Sequence, residues 1–201
     1  MKKVLLLALG IVFSASLAFG QAGYIGLFSD LAHTSCSASW VLGGTKRVYV
    51  YHMLSAGTTA SMFGIKSVGF TGDPDTECEL TGITNNFTLV IGDPFFALPY
   101  DSDNAGVAYS YGSCNTTGAI YLARLTFVCV GDVIPPACSM FEAVAAPDAP
   151  SGTIEVVNCA DTKLVGNGFR MYINPTTSCN CGEVVPTRDS SWGKIKSLYN
   201  L

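Results

Sequence analysis

The chain has 201 residues, 49% of them hydrophobic and only 13% charged, with a formal net charge of −4 at pH 7. Nucleic acid is not expected as a partner, because neutralising a phosphate backbone takes a clustered basic face that this composition does not supply. The apolar content argues equally against an intrinsically disordered chain.

In chain order, Lys2 and Lys3 precede an apolar run from Val4 to Ala18, the layout of an export signal. Small residues stand at the minus-three and minus-one positions of a cleavage site as Ala18 and Gly20 or as Gly20 and Ala22. The sequence favours cleavage after Ala22, with Gly20 as the second choice, so the signal peptide is expected over 1–22. An uncleaved anchor is the rival reading. It is opposed by Gly20, Gln21 and Gly23, which interrupt the run, and by the strand-like Tyr24-Ile25-Gly26-Leu27-Phe28 that follows. No stable transmembrane anchor is therefore expected after cleavage. About 180 residues remain, enough for one domain with its own core.

Eight cysteines, Cys36, Cys78, Cys114, Cys129, Cys138, Cys159, Cys179 and Cys181, follow the signal. An even count behind an export signal implies disulfides, hence four bridges. Their connectivity is open, except that Cys179 and Cys181 stand too close for a relaxed bridge to each other and are expected to take different partners. Zinc is disfavoured, because the one close pair is Cys-x-Cys rather than Cys-x2-Cys.

Strand signals then recur at short intervals. After Tyr24 to Phe28 come Arg47 to Leu54, Met62 to Gly69, Phe87 to Ile91, Val107 to Tyr111, Ala119 to Val130, Met140 to Ala145, Thr153 to Val157 and Phe169 to Ile173. Turn chemistry such as Gly92-Asp93-Pro94, Asp148-Ala149-Pro150 and Asn174-Pro175 punctuates them. About nine short strands without interleaved amphipathic helices predict an all-β antiparallel sandwich or barrel, with an immunoglobulin-like sandwich expected over 23–185. Ala119 to Val130 alternates, with Tyr121, Leu125, Phe127 and Cys129 on the face expected to meet the core and Arg124 and Thr126 on the other.

The segment 186–201 differs in kind. Trp192, Ile195 and Leu198 or Tyr199 recur at helical spacing behind Asp189 and Ser190, which predicts a short amphipathic helix. A helix this short is marginal alone and has to dock on something, so the four apolar residues are read as a docking or sorting element.

Motifs for catalysis are sparse. His52 lies inside a strand between Tyr51 and Met53 and reads as structural. His33 stands near Cys36, but neighbours in sequence do not make a nucleophile and base, and Cys36 is expected to be oxidised. Asp73, Asp75, Glu77 and Glu79 share one loop, a poor way to place two carboxyls across a scissile bond. Asp101-Ser102-Asp103-Asn104-Ala105-Gly106 opens like a calcium loop with Asp101 and Asp103 as its ligands, then departs from the pattern at Ala105 and at Gly112, where a bidentate Glu belongs. Trp40, Tyr49, Tyr51, Tyr100, Tyr109 and Tyr111 offer rings for stacking a sugar, although Tyr alternating along strands more often covers a sheet.

Three stretches, Gly23-Tyr24-Ile25-Gly26-Leu27-Phe28, Gly106-Val107-Ala108-Tyr109-Ser110-Tyr111-Gly112-Ser113-Cys114 and Trp192-Gly193-Lys194-Ile195-Lys196-Ser197-Leu198-Tyr199, resemble those of uncharacterised exported bacterial proteins. That resemblance implies no catalytic motif, and its last stretch is similar to tails of other exported proteins. Gly106 to Tyr111 and Leu122 to Val130 also resemble consecutive strands of cohesin-like β-sandwiches, which implies a module that binds a protein partner or serves a structural role.

Together these features predict a non-enzymatic binding or structural module, secreted or held at the outer cell surface. Its expected partner is a protein or envelope component, with carbohydrate as a second ligand class and no cofactor. The competing expectations are a secreted carbohydrate- or peptide-active hydrolase and a self-assembling surface or fibre subunit.

Overall fold

The computed structural model describes residues 22–70, 78–92, 106–129 and 133–181. Twelve strands run in the order β1 (Tyr24–Phe28), β2 (Ser37–Ala38), β3 (Thr45–Met53), β4 (Thr58–Val68), β5 (Glu79–Asn85), β6 (Val90–Gly92), β7 (Val107–Ser110), β8 (Ala119–Val128), β9 (Ser139–Val144), β10 (Ile154–Asn158), β11 (Lys163–Gly168) and β12 (Arg170–Ile173). The all-β sandwich read from the turn punctuation is therefore the architecture. The predicted C-terminal helix, with Trp192, Ile195, Leu198 and Tyr199, lies outside the described residues. Among the described residues no helix is long and apolar enough to cross a membrane.

One layer is β5-β8-β3-β1, and the other is built on β4. The first half of β4 pairs with β7 and β10, and its second half pairs with β9. β6 extends this layer beyond β7, and β12 and β2 extend it beyond β9. β11 links the two layers, antiparallel to β10 and parallel to β1. β2 also runs parallel to β12, and the remaining pairings among the described strands are antiparallel, as expected.

Three strands escaped the sequence reading. β5 and β11 carry Glu79, Gly82, Gly166, Asn167 and Gly168, residues of poor strand propensity that are held extended by their neighbours. β2 is two residues long. The alternation expected for β8 is correct from Leu125 onward and wrong at Tyr121. A bulge in the β3–β8 pairing, between Val50 and Tyr51, sets Tyr51 opposite Tyr121 and skips Leu122. Leu122 is fully buried in the core instead, the re-aiming that an extra residue in one strand produces.

Between the layers Ile25, Leu27, Val48, Val50, Leu125 and Phe127 meet Phe63, Ile65, Val107, Phe141, Val156, Met171 and Ile173. Trp40 packs on Phe127 and Phe141. Four disulfides join Cys36 to Cys181, Cys78 to Cys129, Cys114 to Cys159 and Cys138 to Cys179. Cys179 and Cys181 thus take different partners, as their spacing requires. Bridges of this number form and persist in oxidising compartments.

Candidate functional site

Directly paired residues of neighbouring strands project from the same side of a sheet, so the register alone assembles a surface. Val165 of β11 pairs with Glu155 of β10, Glu155 with Met62 of β4, Met62 with Ala108 of β7, and Ala108 with Ile91 of β6. A parallel row runs Lys163, Val157, Ala60 and Ser110, and the amide of Ser110 donates to the carbonyl of Leu89. The inward alternates of these strands, Phe63, Val107, Tyr109, Ile154 and Val156, are in the core, which fixes both rows on the outer face.

This face is apolar. Val165, Leu89 and Ile91 are 64%, 58% and 68% exposed, and Ala60, Met62, Ala108 and Val157 are half-buried between them. Its one carboxylate among the described residues, Glu155, is itself buried, 7% exposed, and accepts a hydrogen bond from Lys163 Nζ at 2.8 Å. Hydrogen bonding to Lys163 and then to Ser151 holds the Glu155 carboxyl below its ordinary range, and the salt bridge between the two leaves the face close to neutral. The strand spacing gives these five strands a width of about 19 Å.

The opposite outer face, on β1, β3 and β8, is aromatic. Tyr51 packs against Tyr121, Phe28 and His33, and its hydroxyl donates to the carbonyl of Leu31 at 2.6 Å. Burial raises the phenol pKa of Tyr51 and of Tyr121. Tyr49 lies 6.4 Å from Tyr121 at a tilt of 48°, and Tyr51 meets Tyr121 at 47°, so the three rings share no common plane. A groove of about 450 Å³ beside Tyr49 is lined by Ser29, Ser39, Thr45, Lys46, Arg47 and Trp40 among others.

The six rings considered for sugar stacking are thereby dispersed. Tyr49 and Tyr51 share the aromatic face, Trp40 and Tyr109 are in the core, and Tyr100 lies outside the described residues. Tyr111 joins a buried polar relay. His52 is fully buried, its Nε2 is 2.7 Å from the carbonyl oxygen of Ala22 and its Nδ1 is 2.7 Å from Tyr111 Oη. A carbonyl only accepts, so Nε2 carries the proton and Nδ1 accepts from the Tyr111 hydroxyl, which shares a second hydrogen bond with Ser61 Oγ at 2.7 Å. Burial lowers the His52 pKa, opposed by the bond to Ala22, and raises that of Tyr111. His52 is a satisfied interior histidine, as its place inside a strand suggested.

His33 packs on Phe28 and Tyr51, and Cys36 is in a disulfide, which rules out the nucleophile and base reading of that pair. Glu79 is an exposed residue of the edge strand β5. Asp73, Asp75 and Glu77, and the calcium candidates Asp101 and Asp103, lie outside the described residues. Among the described residues no three His, Cys, Asp or Glu side chains gather where they could hold a metal ion.

The apolar face was missed because its members come from five strands, each contributing one or two small or aliphatic residues. The one signal available was the run of outward alternates, Leu89 and Ile91, Ala108 and Ser110, and Ala60 and Met62.

No protein-family model matches the chain, and no curated protein matches it. Cohesins are among the solved structures similar to it. One is the cohesin module of a family 33 glycoside hydrolase from Clostridium perfringens, at 6% identity and TM-score 0.45, covering 77% of this chain and 98% of that one. A type I cohesin from Clostridium thermocellum, solved in complex with a dockerin, has 10% identity and TM-score 0.48, covering 75% and 99%. A non-cellulosomal cohesin from the archaeon Archaeoglobus fulgidus has 10% identity and TM-score 0.43, covering 75% and 91%.

Proposed function

We propose that this chain is an exported, non-catalytic β-sandwich module that binds a folded protein partner through the outer face of β11, β10, β4, β7 and β6. The observation that carries this reading is the row Val165, Glu155, Met62, Ala108 and Ile91, an unbroken line of paired residues whose only charge is neutralised by Lys163. Exposed apolar surface that is contiguous, rather than scattered, is characteristic of interaction sites. The partner is a protein with a complementary apolar surface rather than a sugar, because a sugar needs a converging set of hydrogen-bonding groups and this face offers mainly Ser110 and the Glu155–Lys163 pair. Met62 at the centre supplies an unbranched, polarizable side chain that adapts to a partner's relief. Export is supported by the signal-like pattern of Lys2, Lys3 and the apolar run from Val4 to Ala18, and by the four disulfides.

The test places a photo-crosslinking residue at Ile91, and separately at Arg124 on the opposite face, in protein exported by its native host. The expected result is a discrete heterologous adduct from position 91 that is absent from position 124. Met62→Arg should abolish that adduct while leaving the melting temperature near that of the parent. Equal crosslinking from both faces, or an adduct with a second copy of this chain alone, overturns the reading.

A further inference from the structure

The carbonyl of Ala22 is the acceptor for a fully buried histidine, and that bears on where the export signal is cut. His52 Nε2 donates to it at 2.7 Å, and the Ala22 side chain packs against the core. The next residue is equally constrained. Gly23 has φ +63°, a Cβ there would stand 2.1 Å from the Met53 carbonyl oxygen, and its own carbonyl accepts from the Asn167 amide at 3.3 Å. Ala22 and Gly23, ahead of β1, are therefore both tied into the fold.

Cleavage after Ala22 would remove this acceptor. It would also remove the Ala22 side chain from its place against the core, and it would set a charged α-ammonium on Gly23, a residue whose Cβ position is 3.0 Å from Nε2 of the buried His52 ring. Cleavage after Gly20 does none of these. Ala18 and Gly20 then occupy the minus-three and minus-one positions with the small residues a signal peptidase requires, and the new terminus is Gln21, one residue clear of the buried acceptor.

We propose that the signal is removed between Gly20 and Gln21, so that the mature chain keeps Ala22 as the acceptor for buried His52. This inverts the preference that the small-residue pattern alone gives, and it rests on the reading of residues 1–20 as a cleaved export signal. An amino-terminal glutamine also closes on itself. Its α-amine attacks the side-chain amide carbon, a lactam forms and ammonia leaves, with no oxidant or co-reactant needed. The mature terminus is then Gln21 or its lactam, lighter by one ammonia, and both count as the same cut.

The experiment is intact-mass and amino-terminal peptide analysis of the protein exported by its native host. A terminus at Gln21, free or as the lactam, is expected. A terminus at Gly23 overturns the inference while leaving export intact, and a chain still beginning at Met1 overturns the reading of a cleaved signal itself. A second measurement tests the physical cause. Chains starting at Gln21 and at Gly23 are folded oxidatively and melted, and the Gly23 chain should melt lower, whereas equal melting temperatures would remove the reason for the choice.

Discussion

Phe127 of β8 and Phe141 of β9 stack across the two layers, ring centroids 5.1 Å apart and planes within 20°. Trp40 lies against both, at 5.2 and 5.7 Å. Three large rings from separate parts of the chain thus fill one region of the core, and little around them can collapse into a vacancy. Phe127→Ala should lower stability by about 3–5 kcal/mol in urea denaturation. Leu89→Ala, on the exposed outer face, should change it by about 0.5 kcal/mol or less.

What could be read in advance depended on whether a residue's fate was set locally. Tyr24 to Phe28 is a strand at both scales, because its apolar and aromatic residues and the flanking Gly23 specify one. Tyr121 could not be placed, since its side was decided by a bulge against β3. Trp40 and Tyr109 looked like candidates for a surface platform and are core, because ring chemistry is the same in both settings. The apolar face was invisible for a different reason: Val165, Met62 and Ile91 become neighbours only once the pairing of five strands is known. Nothing in the spacing of the cysteines announced which of them would meet.

Gly168 makes a sharp test of how closely β11 is packed. A Cβ at this position would lie 1.8 Å from the Ala143 carbonyl oxygen and 3.1 Å from Ile154. The first of these is backbone and does not yield. Gly168→Ala should therefore push β11 away from its neighbours and destabilise the fold by about 1–3 kcal/mol or more, read as a fall in melting temperature. Gly118→Ala, where nothing stands within 4 Å, is the matched control.

Glu142 sits at the centre of a cross-strand row, paired with Lys66 of β4 on one side and Arg170 of β12 on the other. The nitrogens lie 3.1 and 2.9 Å from its oxygens. Burial pushes this carboxyl up, but the hydrogen bonds and charges of Arg170 and Lys66 outweigh it and the net shift is downward. A carboxyl lowered in the folded state contributes its stability above its unfolded value, near 4.5, and loses it as the pH falls through the folded one. Because these side chains are partly exposed and screened, Glu142→Gln should cost about 1 kcal/mol or less at neutral pH. That difference should shrink in urea titrations carried progressively below about pH 4.5.

The Cys36–Cys181 bridge spans 145 residues of sequence, the widest of the four. Closing so long a loop restricts the unfolded ensemble most strongly in the chain-entropy account. The double variant Cys36→Ser with Cys181→Ser should lose about 2–5 kcal/mol and should unfold at lower denaturant with no change in which other cysteines pair. Peptide mapping under non-reducing conditions checks the pairing, and finding Cys179 linked to Cys36 would overturn the connectivity on which the estimate rests.

The relay through Ala22, His52, Tyr111 and Ser61 makes a definite statement about pH. Burial is the larger influence on His52 and lowers its pKa below the ordinary 6.5, against the smaller raising effect of the Ala22 carbonyl. Below 6.5 the unfolded chain takes up a proton that the folded chain refuses, so stability is fully present above that value and declines as the pH falls toward the folded pKa. This decline sets in near the ordinary imidazole value, above the pH at which Glu142 begins to lose its contribution. The melting temperature should therefore fall as the pH is lowered below about 6.5. In His52→Gln, which has no titrating ring, the protein should be less stable throughout, but the slope across this interval should flatten. Parallel curves for the parent and the variant would mean that His52 does not remain neutral in the folded chain, and the proton assignment of the relay would fall with it.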